Sequence, residues 1–180
     1  SCCSLSSVKL SESLTKLSKA IFSCCSTLTT LSVPNNVKII EDYALSYCHK
    51  LRTIVLGNSV EEMGDYVFRG YSALYSIECN VKVPPIITSN TFDEYVSRTA
   101  QIKVPCNFIA AYQGSNYWNE FTNYMESTYT LSVEVNDNTM GMAVVTKQNT
   151  CTDITATVQA QALEGYEFVR WSDGATENPH

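Results

Sequence analysis

Two stretches of the chain, CSTLTTLSVPNNVKIIEDYAL (residues 25–45) and CHKLRTIVLGNSVEEMGDYVF (residues 48–68), superimpose at an offset of 23. Outward from them the same offset links Leu5, Leu28, Leu51 and Leu74; Val8, Leu31, Ile54 and Ile77; and Leu10, Val33, Leu56 and Cys79. Two further columns hold Leu14, Val37, Val60 and Val83, then Leu17, Ile40, Met63 and Ile86. Ala20, Tyr43 and Tyr66 make another, and Phe22, Leu45 and Phe68 the last. Seven columns that hold register over three or four units define an internal repeat, the signature of stacked architectures.

Within one unit the first half alternates apolar and polar residues and is rich in Thr, Val and Ile, which suits a short strand. Turn residues follow, Pro34-Asn35-Asn36 in one unit and Gly57-Asn58-Ser59 in the next. The second half spaces Val37, Ile40, Tyr43 and Ala44 by three to four, which predicts one or two helical turns, with Asp42 and Asp65 as caps. A single unit cannot bury its own apolar side. Burying about seven side chains gains on the order of 10–20 kcal/mol, and ordering the unit's backbone costs as much or more. Stacked units share one core and offset that cost together.

The register loosens after Ile86. Pro84-Pro85 interrupts the fourth unit, and Phe92 follows Phe68 by 24 residues. Ile102-x-Val104-Pro105 repeats the form of Leu31-x-Val33-Pro34, which predicts a returning strand near 100–105. The segment from Phe108 to Phe121, with Tyr112, Tyr117 and Trp118, is expected to form a helix that covers the open end of the core.

The unit C-x-x-L-x-x-[IL]-x-[LV]-[PG]-x-x-V-x-x-I-x-x-x-[AVF] resembles the BspA-like class of bacterial leucine-rich repeats, with Ile102 to Phe121 similar to its terminal unit. The resemblance implies an α/β leucine-rich-repeat solenoid of short parallel strands and short helical turns. It also implies a cell-surface or secreted protein that binds host matrix, other bacteria or glycans. Tyr71 replaces the column cysteine and the fourth unit is irregular, both departures from the pattern.

From about Ser127 the character changes. Leu131, Val133 and Val135, preceded by Tyr129, alternate with polar residues, and so do Ile154, Ala156, Val158, Ala160 and Ala162. Both segments predict half-buried strands, with Phe168 and Trp171 in the same core. Gly165-Tyr166-x-Phe168-x-x-Trp171-x-Asp173-Gly174, followed by Asn178-Pro179, resembles a divergent internalin B-repeat, which implies a small β-rich, β-grasp-like domain. That family continues past Asn-Pro, so an incomplete domain with an exposed sheet edge is expected. The expected organisation is a repeat domain over residues 1–126, with a cap over about 94–126, and the β domain over 127–180. Ser1-Cys2-Cys3-Ser4 falls inside a repeat, which reads as part of a longer polypeptide.

Twelve basic against 18 acidic residues give a net charge of −6. That charge opposes nucleic acid, whose binding needs a positive surface, and a polybasic membrane face. No apolar run is long enough to insert in a membrane. Cys2, Cys25 and Cys48 follow the 23-residue period, which suits a ladder of buried thiols, with disulfides between neighbouring units as the alternative. Cys2-Cys3 and Cys24-Cys25 lack the spacing of a zinc site, and Asp173-Gly174 reads as a turn. His49 beside Cys48 is a poor nucleophile pair, since neighbouring side chains in extended chain diverge. No metal, cofactor or enzymatic activity is expected.

Outward positions make columns as well. Lys9, Ser32, Val55, Glu78 and Lys103 form one, Ser7, Thr30, Thr53 and Ser76 another, with Arg52 and Tyr75 beside them. Lys9, Ser32, Arg52, Val55, Tyr75, Glu78 and Lys103 are therefore the candidate ligand-binding residues. The expected function is non-catalytic recognition of host or bacterial surface proteins or glycans. The alternative is a structural spacer within a larger surface protein.

Overall fold

Residues 23 apart lie side by side in a computed structural model of the protein, which describes residues 4–70, 73–127, 131–153 and 155–180. The strands are β1 (Lys16–Leu17), β2 (Thr30–Ser32), β3 (Ile39–Ile40), β4 (Thr53–Leu56), β5 (Glu62–Met63), β6 (Ser76–Cys79), β7 (Gln101–Pro105), β8 (Asn123–Ser127), β9 (Gly141–Lys147) and β10 (Thr157–Ala162). The chain divides into two units, Ser1–Ser127 and Thr128–His180. In the first, β2, β4, β6, β7 and β8 form one parallel sheet in that order, and β1, β3 and β5 form a second. Over β2 to β5 the chain thus visits both sheets once per repeat, whereas β7 and β8 extend the main sheet alone, and neighbours in each ladder share the inter-unit hydrogen bonds.

Between the two sheets lies the core that the columns define. Leu28, Leu31, Val33, Val37, Ile40 and Leu45 are buried, as are Leu51, Ile54, Leu56, Val60, Met63 and Phe68 one unit later. Leu5, Val8, Leu10 and Leu14 of the first unit are partly buried against it.

The second half of the repeat differs from the expected helical turns. Residues 37–48 hold β3 and tight turns. Ala20, Tyr43, Tyr47 and Tyr66 have positive φ near 58°, left-handed backbone that ends any right-handed helix. Their amides bond the neighbouring unit instead: Tyr43 N–H to Asp65 O at 3.0 Å, Tyr47 to Arg69 O at 2.8 Å and Tyr66 to Asn90 O at 2.9 Å. Stacking of Tyr43 on Tyr66, with ring centroids 5.1 Å apart, offsets part of the strain. Asp42 and Asp65 accordingly cap no helix. The Asp42 carboxylate accepts the Asp65 N–H, and the Asp65 carboxylate accepts the Thr88 hydroxyl, so each ties one unit to the next.

The fourth unit shifts by one residue. Ile86 is 71% exposed and Val83 is 76% exposed, whereas Ile87 is buried. Ile87, not Ile86, therefore continues the core column, and Val83 leaves it. The extra residue is absorbed across Asn80–Pro85: Leu56 still pairs with Cys79, but Glu62 pairs with Ile86 and Phe68 with Phe92. Phe92 is consequently in step, its ring 4.7 Å from that of Phe68 and 1° from parallel.

The closing segment is also more divided than expected. Helix α1 (Glu94–Thr99) precedes β7, and α2 (Ile109–Gln113) and a 3₁₀ turn (Trp118–Glu120) follow it. Tyr112, Trp118 and Phe121 are buried, as expected of residues that close a core, and Tyr117 is exposed. Strand β8, with no clear apolar alternation in its sequence, joins the main sheet beyond β7.

In the second unit β9 and β10 pair antiparallel, Val158 opposite Val145 and Ala160 opposite Ala143. The strand expected at 129–135 is absent over 131–135, and Tyr129 lies outside the described residues. The strand expected from Ile154 begins at Thr157, and Ile154 also lies outside the described residues. Val158 is buried, and Phe168 and Trp171 are half-buried with centroids 5.0 Å apart. Beside β10, Val158 and His180 exchange both backbone hydrogen bonds at 2.9 Å. The Asn178 amide bonds Ala160 N–H and C=O at 2.9 and 2.8 Å. These contacts pair the outer edge of β10 at Val158 and Ala160.

Candidate ligand-binding face

The parallel register aligns Ser32, Val55, Glu78 and Lys103 in one row and extends it to Met125. Neighbouring strands sit about 4.8 Å apart, so these side chains make a continuous line. Ser32 is exposed, Val55, Glu78 and Lys103 are half-buried, and Met125 is exposed. Lys9 is exposed but belongs to no strand, so the hydrogen-bonded row begins at Ser32.

The second row runs Thr30, Thr53, Ser76, Gln101 and Asn123. Its ends reach solvent, but Ser76 is buried, which removes it from the surface expected for it. Arg52 and Tyr75 occupy equivalent positions just before β4 and β6, and both are exposed. The carbonyl of Arg52 accepts Tyr75 N–H at 3.1 Å, which fixes their spacing through the backbone. Sequence reasoning missed Gln101, Asn123 and Met125 as members of the rows. The 25-residue step from Ser76 to Gln101 and the 22-residue step to Asn123 hide them from a fixed period.

Charge alternates along the row only at Glu78 and Lys103, which face each other in the ladder. The remaining positions offer hydroxyl, amide, thioether and aliphatic groups. Such a surface can form hydrogen bonds and apolar contacts. Cys48 is buried and donates its thiol to Phe22 O at 3.1 Å. His49 is exposed, with Nδ1 at 2.9 Å from Gly70 O and its ring against Tyr47. The two side chains thus serve separate structural contacts.

Cys25, Cys48 and Cys79 are buried thiols and Cys24 is an exposed thiol; Cys2 and Cys3 lie outside the described residues. Burial pushes the Cys79 thiol up to about 12, against an ordinary value of 9.0. A buried thiol of this kind packs as a small apolar group and is poorly reactive. Asp173, expected in a turn, accepts the Ala175 N–H at 3.0 Å, and its other oxygen lies 3.0 Å from His180 Nε2. Among the described residues no helix is long and apolar enough to cross a membrane.

Short parallel strands, few helices and leucines at a fixed interval define an α/β repeat protein of the leucine-rich class. Residues 1–122 match the family described as BspA type leucine rich repeat region, in six copies, and the chain belongs to that family. No curated protein matches the chain.

Proposed function

We propose that the chain is a non-catalytic binding region of a surface or secreted protein, a repeat solenoid that recognises a protein or glycan through its main sheet. The supporting observation is the unbroken row Ser32–Val55–Glu78–Lys103, flanked by exposed Arg52 and Tyr75. A rigid ladder presents such groups with little ordering cost on binding, and repeat proteins use extended faces in this way. Arg and Tyr are also the residue types that most often dominate binding energy. Membership of the BspA-type family supports the extracellular location. Lys9, exposed and 23 residues before Ser32, joins this proposed face by its place in the repeat. Residues 127–180 are a separate β-grasp-like domain in this reading, supported by the Gly165-Tyr166-x-Phe168 motif and by the β9–β10 pair.

The purified chain is tested on arrays of matrix proteins, mucins and glycans, beside the double variant Arg52→Ala/Tyr75→Ala. Saturable binding that the variant loses at unchanged thermal stability supports the face. Binding that the variant retains places recognition elsewhere. Failure to bind across all three classes favours a spacer.

A further inference from the structure

A small pocket lies among residues that the binding row does not use. Phe92, Phe121 and Tyr117 supply its rings, and Glu94, Glu120 and Ser97 are among its polar lining. Its volume is about 100 Å³. Ordinary small-molecule sites occupy roughly 300–1,000 Å³, so this one suits a single side-chain-sized group.

Each wall has a defined state. Phe92 and Phe121 meet edge to face with centroids 5.2 Å apart, and Phe92 is held flat against Phe68. The apolar wall is thus rigid. The Glu94 carboxylate is engaged by Arg98. Among the described residues the Glu120 carboxylate has neither an ion pair nor a hydrogen bond, and the exposed Tyr117, at the N-terminal end of the same 3₁₀ turn, lines the same pocket.

An exposed aromatic ring and an unpaired carboxylate on the rim of an apolar wall select by charge. The Tyr117 ring attracts a cation, the Glu120 carboxylate adds a charge-assisted hydrogen bond, and an aliphatic stem packs on the Phe92–Phe121 wall while its head stays at the rim. An anion would meet the unpaired Glu120 carboxylate, and a neutral sugar would gain no charge-assisted contact from it. The chain's net charge of −6 favours approach of a cation. We propose that this pocket receives a basic side chain, the ammonium of a lysine or the guanidinium of an arginine, from a protein partner.

The test titrates the isotope-labelled full chain with Nα-acetyl-lysine amide and Nα-acetyl-arginine amide by NMR. Nα-acetyl-norleucine amide, methyl glucoside and putrescine serve as comparisons. The expected result is saturable shifts confined to residues 88–97 and 117–121, from the two cationic amides and not from norleucine amide or glucoside. Glu120→Gln is expected to weaken binding about 5-fold. Tyr117→Asn, which keeps a residue tolerant of left-handed backbone, is expected to weaken it about 3-fold. Unmoved Ile102 and Val104 amides in both variants confirm that the core is intact. Equal shifts from norleucine amide, or full binding by Glu120→Gln, would overturn the proposal. So would saturation by putrescine without response to lysine amide, since that assigns the pocket to a free diamine.

Discussion

The carboxylate of Asp42 accepts the backbone N–H of Asp65 at 3.0 Å, linking equivalent positions of adjacent repeats. The link depends on Gly64. A Cβ there would sit 2.4 Å from Asp42 Oδ1 and 2.9 Å from Asp42 N, so a side chain would push the two units apart. The carboxylate therefore adds an inter-unit hydrogen bond beside the stacked Ile40–Met63 and Tyr43–Tyr66 pairs.

Replacing Asp42 by alanine removes that acceptor and leaves a half-buried amide unpaired, at an expected cost of about 1–2 kcal/mol. Asp42→Asn keeps an oxygen in place and loses less. Gly64→Ala is expected to exceed the loss in Asp42→Ala, because the clash involves backbone. Urea unfolding of the three variants checks the order; identical midpoints for wild type and Asp42→Ala would remove the role assigned to the carboxylate.

The one-residue shift in the fourth unit makes adjacent isoleucines unequal. Ile87 is 6% exposed and Ile86 is 71% exposed. Ile87→Ala is expected to cost about 2–4 kcal/mol, within the range for core truncations. Ile86→Ala is expected to change stability by no more than about 0.5 kcal/mol. Chemical denaturation of both decides between the observed register and an unbroken 23-residue period, which predicts the opposite ranking.

That pair also shows what the sequence makes legible. Columns such as Leu28, Leu51 and Leu74 are readable because burial in a stacked core demands the same residue type at each step. A one-residue insertion at Asn80–Pro85 leaves that demand intact but moves it, so a fixed period selects Ile86 and Val83 in error. The helical spacing of Val37, Ile40 and Tyr43 misleads for another reason: inter-unit hydrogen bonds hold Tyr43 in left-handed backbone, a non-local effect. The row Ser32, Val55 and Glu78 is readable because strand periodicity and repeat period agree there, and Lys103, 25 residues after Glu78, is readable because Ile102-x-Val104-Pro105 repeats the form of Leu31-x-Val33-Pro34. Met125 was not, since β8 lacks apolar alternation and joins at a 22-residue step. Nor was the pocket, whose walls come from two segments distant in sequence.

The aromatic closure should be costly to open. Trp118 is fully buried, meets Tyr112 edge to face at 5.1 Å and donates its indole N–H to Pro85 O at 2.8 Å. Trp118→Ala is expected to cost about 3–5 kcal/mol. Trp118→Phe keeps much of the packing but loses the Pro85 bond, and should cost less. Thermal unfolding followed by near-ultraviolet circular dichroism measures both; a Trp118→Ala variant as stable as wild type would mean that the end of the core is closed by other residues.

Cys79 predicts the alkaline limit of stability. Its thiol is fully buried, and desolvation raises it from the ordinary 9.0 to about 12. Between those values the unfolded chain has released the proton while the folded chain retains it, so unfolding gains as pH rises. The stability contribution is complete below pH 9 and is lost upward from there, by as much as about 1.4 kcal/mol per pH unit. Burial also raises the Tyr112 and Tyr124 phenols, whose effect begins at their ordinary value of 10.0. The interval from pH 9 to 10 therefore precedes the phenols, and comparison with Cys79→Ala separates Cys79 from the other buried thiols, Cys25 and Cys48. Cys79→Ala should be less stable at pH 8, through its cavity, yet show a shallower decline across that interval. Peptide mapping after brief alkylation at pH 8 gives an independent check: exposed Cys24 should be modified well before Cys79. Equal labelling of the two, or an unchanged slope in Cys79→Ala, would show that this thiol is open to solvent in the folded chain.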